Sequence, residues 1–123
     1  MTVSTAPQQN SITTHLGNGL KVIAIENPVA DIVSARLFLP IGQGHETPGN
    51  AGIFSFLTSL LTRGTTHRSS LEIAEAVEYV GASLGADSAS DYRLISVKTV
   101  SNDFEEIYTL ATEILREPSF PKN

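Results

Sequence analysis

The chain lacks cysteine altogether and carries few basic residues. Without cysteine there is no disulfide framework and no thiolate ligand for zinc, which is compatible with a reducing compartment. Eight Lys and Arg residues against thirteen Asp and Glu residues give a net charge of −5. Because so few cations are available to neutralise phosphates, the composition argues against nucleic-acid binding.

The chain also lacks long apolar runs and recognisable targeting segments. No apolar stretch approaches the roughly 20 residues that a membrane-spanning helix needs. Residues 1–10 are polar and uncharged, without the basic and apolar regions of a secretory signal or the arginines of a transit peptide. We therefore expect a soluble, cytoplasmic protein in which residues 1–10 form a disordered lead-in.

What remains is the composition of a globular domain. The 123 residues are 41% hydrophobic and 17% charged, which fits a folded chain of ordinary single-domain size. A chain of this length buries about two thirds of its unfolded surface. We therefore expect one packed core.

The first half of the chain favours strands. Residues 12–26 read as a hairpin, because Asn and Gly in the central Gly17-Asn18-Gly19 tolerate positive φ. Residues 32–39 are almost continuously apolar, which predicts a strand that is central or covered on both faces. The glycines and prolines of residues 40–50 predict a loop.

The segment 52–65 reads as a buried helix that is apolar almost all round. Its hydroxyl residues Ser55, Thr58, Ser59 and Thr62 follow the spacing i, i+3, i+4, i+7 and therefore lie on one stripe. A nucleophilic hydroxyl needs an adjacent base, and no histidine lies within a helical turn. We expect these hydroxyls to bond to backbone carbonyls four residues earlier in the helix.

The second half of the chain alternates helices and strands. Ser69 and Glu72 have the spacing of a capping box, which opens a helix that runs to about Val80. Residues 83–89 and 92–100 read as strands, and residues 101–117 as a closing amphipathic helix. The order ββ-β-α-α-β-β-α indicates an α+β fold in which helices cover one face of a largely antiparallel sheet.

The three histidines and the acidic residues offer no obvious site. His15 lies in the first strand, while His45 and His67 lie in loops, so no two histidines share a helix as a zinc site would favour. We interpret His45, with its neighbour Glu46, as a solvated loop histidine. The acidic residues read as solvated helix faces or first-turn charges: Glu72, Glu75, Glu78, Glu105 and Glu106.

The chain resembles the M16 metallopeptidases, the insulinase and mitochondrial-processing-peptidase-like family, from residue 18 to residue 120. The resemblance rests on ordered matches along the whole of this stretch, beside the helical segment 52–65: Asn18-Gly19-Leu20-Lys21-Val22, Gly42-Gln43-Gly44-His45-Glu46, Asn50-Ala51-Gly52, Arg63-Gly64-Thr65, Gly81-Ala82 and Pro118-Ser119-Phe120. It implies the LuxS and MPP-like metallohydrolase fold, a mixed, largely antiparallel sheet with helices on one face.

Active members of that family carry an inverted H-x-x-E-H motif on the matching helix. Aligned with it, the first histidine falls on Ser55, the glutamate on Thr58 and the second histidine on Ser59. The resemblance therefore implies a degenerate motif, with no catalytic residue, no metal ligand and no cofactor in this chain.

The family's domain unit continues past the point that this sequence reaches, and its third zinc ligand, a glutamate, lies on the following helix. We therefore expect residues 11–123 to be the N-terminal part of a first M16-like domain, with the fold incomplete. An incomplete layer leaves apolar surface and strand edges uncovered, so we also expect self-association.

The resemblance further implies that Gly85, Ala86, Asp87 and Ser88 lie on the edge strand with which active members pair an extended substrate peptide. The family usually has asparagine where this chain has Gly85, which weakens that interpretation. A strand of small residues that merely packs beside the helix is the alternative reading.

By resemblance, the chain is a non-catalytic subunit that supports peptide binding and hydrolysis by a zinc-bearing M16 partner. One alternative is a purely structural subunit like the core proteins of the cytochrome bc1 complex. Another is a zinc peptidase whose active motif lies outside these 123 residues.

Overall fold

A computed structural model describes residues 10–120 of the chain. The predicted disordered lead-in lies outside the described residues, apart from Asn10. Contacts divide the chain into two compact units, which meet between Asp31 and Ile32. Each unit is described separately below.

The first unit is the predicted hairpin. Strand β1 (Ser11–His15) pairs antiparallel with strand β2 (Lys21–Ile25). Gly19 adopts a φ of +88°, in the left-handed region, and donates its N–H to the Leu16 carbonyl at 2.9 Å. The predicted turn and its positive-φ glycine are therefore confirmed.

Replacing Gly19 with valine is expected to destabilise this hairpin by about 1–3 kcal/mol through backbone strain alone. A Cβ at residue 19 would meet no atom within 4 Å, so no steric clash contributes. Gly17→Val is the matched control, since a Cβ at that residue also meets open space and its φ lies outside the left-handed region. Hydrogen exchange of the β1 and β2 amides measures the effect. Equal exchange rates in the two variants would mean that the strain at residue 19 is negligible.

The second unit contains a three-stranded antiparallel sheet. Its strands are β3 (Ile32–Leu39), β4 (Ser83–Ser88) and β5 (Arg93–Val100), in the spatial order β3-β5-β4. β5 is therefore the central strand, and β3 and β4 are the edges of the described sheet.

The prediction that β3 is central or covered on both faces is wrong for the described residues. Its side chains alternate between half-buried and exposed, and Ile32 and Phe38 on the outer face are 50% and 54% exposed. The run is apolar because the inner positions contact the core while the outer ones have no covering layer in the part of the chain that the structure describes. Hydrophobicity alone does not distinguish these two situations.

Three helices complete the second unit. Helix α1 (Ile53–Leu60) continues into a 3₁₀ turn, α2 spans Ser70–Tyr79, and α3 spans Phe104–Arg116. Within residues 10–120, no helix has the length and apolar character that crossing a membrane requires.

The predicted capping box at the start of α2 is confirmed. Ser69 Oγ accepts the Glu72 N–H at 3.2 Å, and Glu72 Oε2 accepts the Ser69 N–H at 2.7 Å. These bonds to the Ser69 backbone and hydroxyl lower the pKa of Glu72 below its ordinary value.

The core lies between the sheet and the helices, on one face of the sheet. α3 packs against β5, while α1 and α2 pack against β4. The buried apolar side chains come from α2, α3, β5 and the 3₁₀ turn after α1: Leu61, Ile73, Ile95, Val97, Ile107, Leu110, Ala111 and Ile114. The observed architecture is the predicted α+β fold with helices on one face.

Candidate functional site

Helix α1 presents the three degenerate motif positions. Ser55 and Ser59 are exposed, and Thr58 is buried with 4% of its surface accessible. Thr58 Oγ1 donates to the Phe54 carbonyl at 2.7 Å, and Ser59 Oγ donates to the Phe56 carbonyl at 2.7 Å. Two of the three hydroxyls therefore bond to the backbone of their own helix, and Thr58 uses the predicted i−4 carbonyl.

The expectation that α1 is a buried helix is wrong for the described structure. Thr58 is its only buried residue, and Phe56 is 62% exposed. The helix contacts β4 along one side, and no element in residues 10–120 covers its opposite side. Phe54, Leu57 and Leu60 are half-buried, while Ile53 and Phe56 face solvent.

The loop before α1 fixes the start of this helix. Glu46 accepts the N–H of Gly52 at 2.7 Å and the N–H of Phe54 at 2.9 Å, so its carboxylate caps the helix N-terminus. The preceding His45 is exposed, as predicted, and its Nδ1 lies 3.2 Å from the Gly42 nitrogen. The side chains of His45 and Glu46 thus contact backbone groups of their own loop and of the start of α1.

Gly42 allows this loop to approach the turn between β4 and β5. A Cβ at residue 42 would lie 2.6 Å from both the Ser90 carbonyl oxygen and the Tyr92 nitrogen. The neighbouring Gln43 donates its N–H to the Ala89 carbonyl at 3.0 Å. The loop is thereby held against the end of the β4–β5 hairpin, beside the start of α1.

β4 has an open edge. The N–H of Ala89 donates to the Tyr92 carbonyl at 2.8 Å, so this pair is hydrogen-bonded. Since bonded and non-bonded pairs alternate along an antiparallel ladder, the backbone groups of Leu84, Ala86 and Ser88 point away from β5. In the described part of the chain, no turn, loop or cap hydrogen bond uses these groups.

The four predicted edge-strand residues thus divide into two pairs. Ala86 and Ser88 carry the outward-facing backbone groups, and their side chains lie on the helix-covered face. Gly85 and Asp87 direct their backbone groups to Ser96 and Leu94 of β5, and the Asp87 side chain is exposed. The structure places β4 at a sheet edge, while its role in peptide binding remains a prediction.

A shallow cleft of about 310 Å³ adjoins Ser59, between the end of α1, α2 and β4. Ile73, Val77 and Leu84 supply its apolar wall, and Arg63 and Glu78 also line it. Ser59 is the one degenerate motif position that borders this cleft.

The remaining histidines do not assemble a site. His67 pairs with Glu117 at 2.7 Å, and Arg68 with Glu113 at 3.5 Å, so the loop before α2 is tied to the end of α3. His15 belongs to the separate hairpin unit. No group of three or more His, Asp or Glu residues within 10–120 could hold a metal ion.

Sequence reasoning missed Arg93, the first residue of β5. Its guanidinium carbon lies 5.2 Å from the centre of the Phe54 ring on α1, which is a cation–π contact. A cation on the inward-facing side of the central strand, in register with the buried Ile95 and Val97, was the available signal. Its contact with Phe54 arises only when α1 packs over the sheet.

Two solved structures have folds similar to that of this chain. Among solved structures, an M16 peptidase inactive domain from Pseudomonas fluorescens matches 91% of this chain and 27% of its own, with a TM-score of 0.84 and 23% identity. A protease from Helicobacter pylori matches 93% of this chain and 28% of its own, with a TM-score of 0.82 and 19% identity. At these identities the likeness shows the fold.

The curated relatives include proteins named as zinc proteases and proteins named as subunits of the cytochrome b-c1 complex. The uncharacterized zinc protease YmxG of Bacillus subtilis is 26% identical over 106 residues, covering 86% of this chain and 26% of the relative. Cytochrome b-c1 complex subunit 1 of Rattus norvegicus is 30% identical over 104 residues, covering 85% of this chain and 22% of the relative. The chain thus spans about a quarter of the length of the relatives it matches.

The sequence model of one protein family matches most of the chain. Its description is insulinase, peptidase family M16, and the match covers residues 21–123. The three-stranded sheet, its helices and the α1 segment all lie within that range. The chain belongs to peptidase family M16.

Proposed function

We propose that this chain is part of a non-catalytic M16 subunit that holds an extended peptide for hydrolysis by a zinc-bearing partner subunit. The observation that carries the proposal is the hydroxyl stripe of α1. Ser55, Thr58 and Ser59 stand where the family's active members have two histidines and a glutamate.

The chemistry of these three residues supports the proposal. Zinc in a peptidase site needs imidazole or carboxylate ligands, and a metal-bound water needs a base to accept its proton. The hydroxyls of Thr58 and Ser59 are neutral and already bonded to α1 carbonyls. Neither group can take over the role of a ligand or a general base.

The open edge of β4 supports the peptide-holding part of the proposal. An extended peptide can add to a sheet edge through main-chain hydrogen bonds. The outward-facing groups of Leu84, Ala86 and Ser88 provide such an edge, and α1 packs against this same strand. A peptide on β4 would therefore lie beside the degenerate motif.

A purely structural role is the second candidate. It is favoured by the similarity to cytochrome b-c1 complex subunit 1 of the rat, whose name describes a component of a multisubunit complex. A structural subunit would also tolerate loss of the zinc motif. Co-purification of the protein with a membrane complex, without stimulation of peptide cleavage, would favour this role.

A third candidate is a zinc peptidase whose active motif lies outside these 123 residues. It is supported by the relatives named as zinc proteases, of which the chain spans about a quarter. Reading the whole open reading frame for a second segment with H-x-x-E-H tests this candidate directly.

Co-expression tests the leading proposal. The protein would be produced with and without a zinc-bearing M16 subunit encoded in the same genome, and peptide hydrolysis would be measured for each and for the pair. We expect no cleavage by the protein alone and faster cleavage by the pair than by the partner alone.

Variants of the β4 edge sharpen this test. Ala86→Pro removes an outward-facing N–H without breaking the ladder to β5, and Ala86→Ser retains that N–H as the matched control. We expect the proline variant to abolish the stimulation and the serine variant to preserve it. Partner activity that is unchanged by wild-type protein would refute the supporting role.

We also propose that the 123-residue chain self-associates. In the second unit, apolar side chains are exposed on the outer face of the sheet and on the helices, including Phe38, Phe56 and Tyr79, the last of which is 92% exposed. Such surface favours association in water. Sedimentation velocity is expected to show dimers or larger species at micromolar concentration, and a monomer throughout that range would contradict the expectation.

A further inference from the structure

Arg93 holds its guanidinium against Phe54 of α1, the helix that packs on the edge strand β4. As the first residue of β5, it pairs with Ser88, and strand alternation places both side chains on the face that the helices cover. Because α1 packs against β4, a guanidinium in contact with Phe54 extends from β5 in the direction of β4. The cation therefore lies under α1, on the same face of the sheet as the Ser88 side chain of the edge strand β4.

This cation lacks an acidic partner in the described part of the chain. The ion pairs found there join His67 to Glu117 and Arg68 to Glu113. Glu46 approaches the same end of α1, but both of its oxygens accept backbone N–H groups of that helix. The positive charge of Arg93 is left without a carboxylate among residues 10–120.

Two buried polar atoms at this position are also unsatisfied. Arg93 Nε and Ser88 Oγ are buried, and neither has a hydrogen-bond partner among the described residues. Buried donors without partners cost free energy, so a ligand that satisfies them gains that energy on binding. Both groups can donate to an oxygen acceptor.

We propose that Arg93 and Ser88 recognise an acidic side chain of an extended peptide that adds to the edge of β4. The inference rests on the peptide-holding role proposed above. The chemical class that the pair selects is an Asp or Glu side chain.

The geometry of an added strand supports this assignment. A peptide residue opposite Ser88 projects its side chain to the same face as Ser88, the face that carries Arg93. The peptide would lie about 10 Å from β5, two strand spacings away. The extended side chains of an arginine and a glutamate together span that distance, and Ser88, which lies between them, has only a small side chain.

Charge complementarity selects an acid over other side chains. A guanidinium binds a carboxylate through charge-assisted and often bidentate hydrogen bonds, while a lysine at the same peptide position would be repelled. The chain as a whole carries a charge of −5, so an acidic peptide gains no general attraction to it. A preference for an acidic side chain in the peptide would therefore come from the nearby Arg93 guanidinium and not from the net charge of the chain.

Fluorescence anisotropy with labelled peptides tests the inference. The probes are three alternating Thr-Val peptides of eight residues that differ only at one central position, which is Glu, Gln or Lys. We expect wild-type protein to bind the Glu peptide about tenfold more tightly than the Gln peptide, with the Lys peptide weakest.

Variants of the protein then test whether Arg93 causes the preference for the Glu peptide. In Arg93→Gln the difference between the Glu and Gln peptides is expected to disappear. Arg36→Gln is the matched control, because Arg36 lies on the exposed face of β3 and should leave the difference intact. The comparison of peptides on wild-type protein does not depend on the folding of any variant.

The outcomes separate this inference from the function on which it rests. Equal binding of the Glu and Gln peptides, with both lost in Ala86→Pro, would overturn the acidic preference while supporting peptide binding at the β4 edge. Absence of binding by all three peptides would overturn both. An acidic preference that survives in Arg93→Gln would overturn the assignment to Arg93.

Discussion

Calorimetric titration of the wild-type protein with Zn²⁺ is expected to show no tight stoichiometric binding, and a peptide-cleavage assay is expected to show no turnover. Ser55, Thr58 and Ser59 offer neutral hydroxyls where the family's zinc helix needs imidazole and carboxylate. No group on α1 can lower the pKa of a bound water or accept its proton.

Restoring the local motif is expected to restore zinc binding in part, but not peptide hydrolysis. Ser55→His and Ser59→His together create a histidine pair at i and i+4 on one face of α1, and Thr58→Glu completes H-x-x-E-H. Both serines are exposed, so the new side chains are accommodated, whereas Thr58 is buried and its replacement costs stability. We expect weak zinc binding by the triple variant, still without turnover, because the resemblance places the third ligand on a later helix.

A pair of adjacent histidines is the matched control for this titration. Ser55→His combined with Phe56→His adds the same number of imidazoles, and both positions are exposed, but adjacent residues on a helix point in different directions. We expect this control to bind zinc at least about tenfold more weakly than the triple variant. Tight zinc in the wild type would refute the non-catalytic interpretation, and turnover by the triple variant would refute the missing-ligand argument.

Truncating Ile107 to alanine is expected to lower the free energy of unfolding by about 2–5 kcal/mol. The Ile107 side chain is fully buried, with 0% of its surface accessible, and it lies in the small cluster where α3 meets β5. Few other buried side chains are present to collapse into the cavity, so we expect a value in the upper part of this range.

The neighbouring residue provides the control for this truncation. Tyr108 is 46% exposed on the same helix, and Tyr108→Ala should cost far less than Ile107→Ala. Urea denaturation with unchanged m-values measures both effects. Similar midpoints for the two variants would mean that the α3–β5 contact is not the centre of the core.

Several local features could be predicted because short-range rules decide them. The turn at Gly19 requires a residue that tolerates positive φ, and the Ser69–Glu72 pair satisfies the backbone groups that open α2. The predicted amphipathic character of the closing helix is likewise observed, since α3 buries Ile107, Leu110, Ala111 and Ile114 on one side.

The burial of β3 and α1 depends on which elements lie beside them, and for both the prediction from sequence was wrong. The apolar run of β3 predicted a covered or central strand, yet β3 is an edge with an exposed outer face. The apolar circumference of α1 predicted burial, yet Thr58 is its only buried residue. In both cases the composition reported which side chains are apolar, not which layers are present to cover them.

By itself, the sequence determined the order of the elements, the α+β class, the capping of α2 and the replacement of the zinc motif at Ser55, Thr58 and Ser59. The first three follow from residue types and their spacing, and the replacement of the motif follows from the resemblance to the M16 family. Only the tertiary structure decided that Arg93 of β5 meets Phe54 of α1, because this contact joins segments about 40 residues apart along the chain. Strand pairing and helix packing bring such segments together, and no local pattern encodes the outcome.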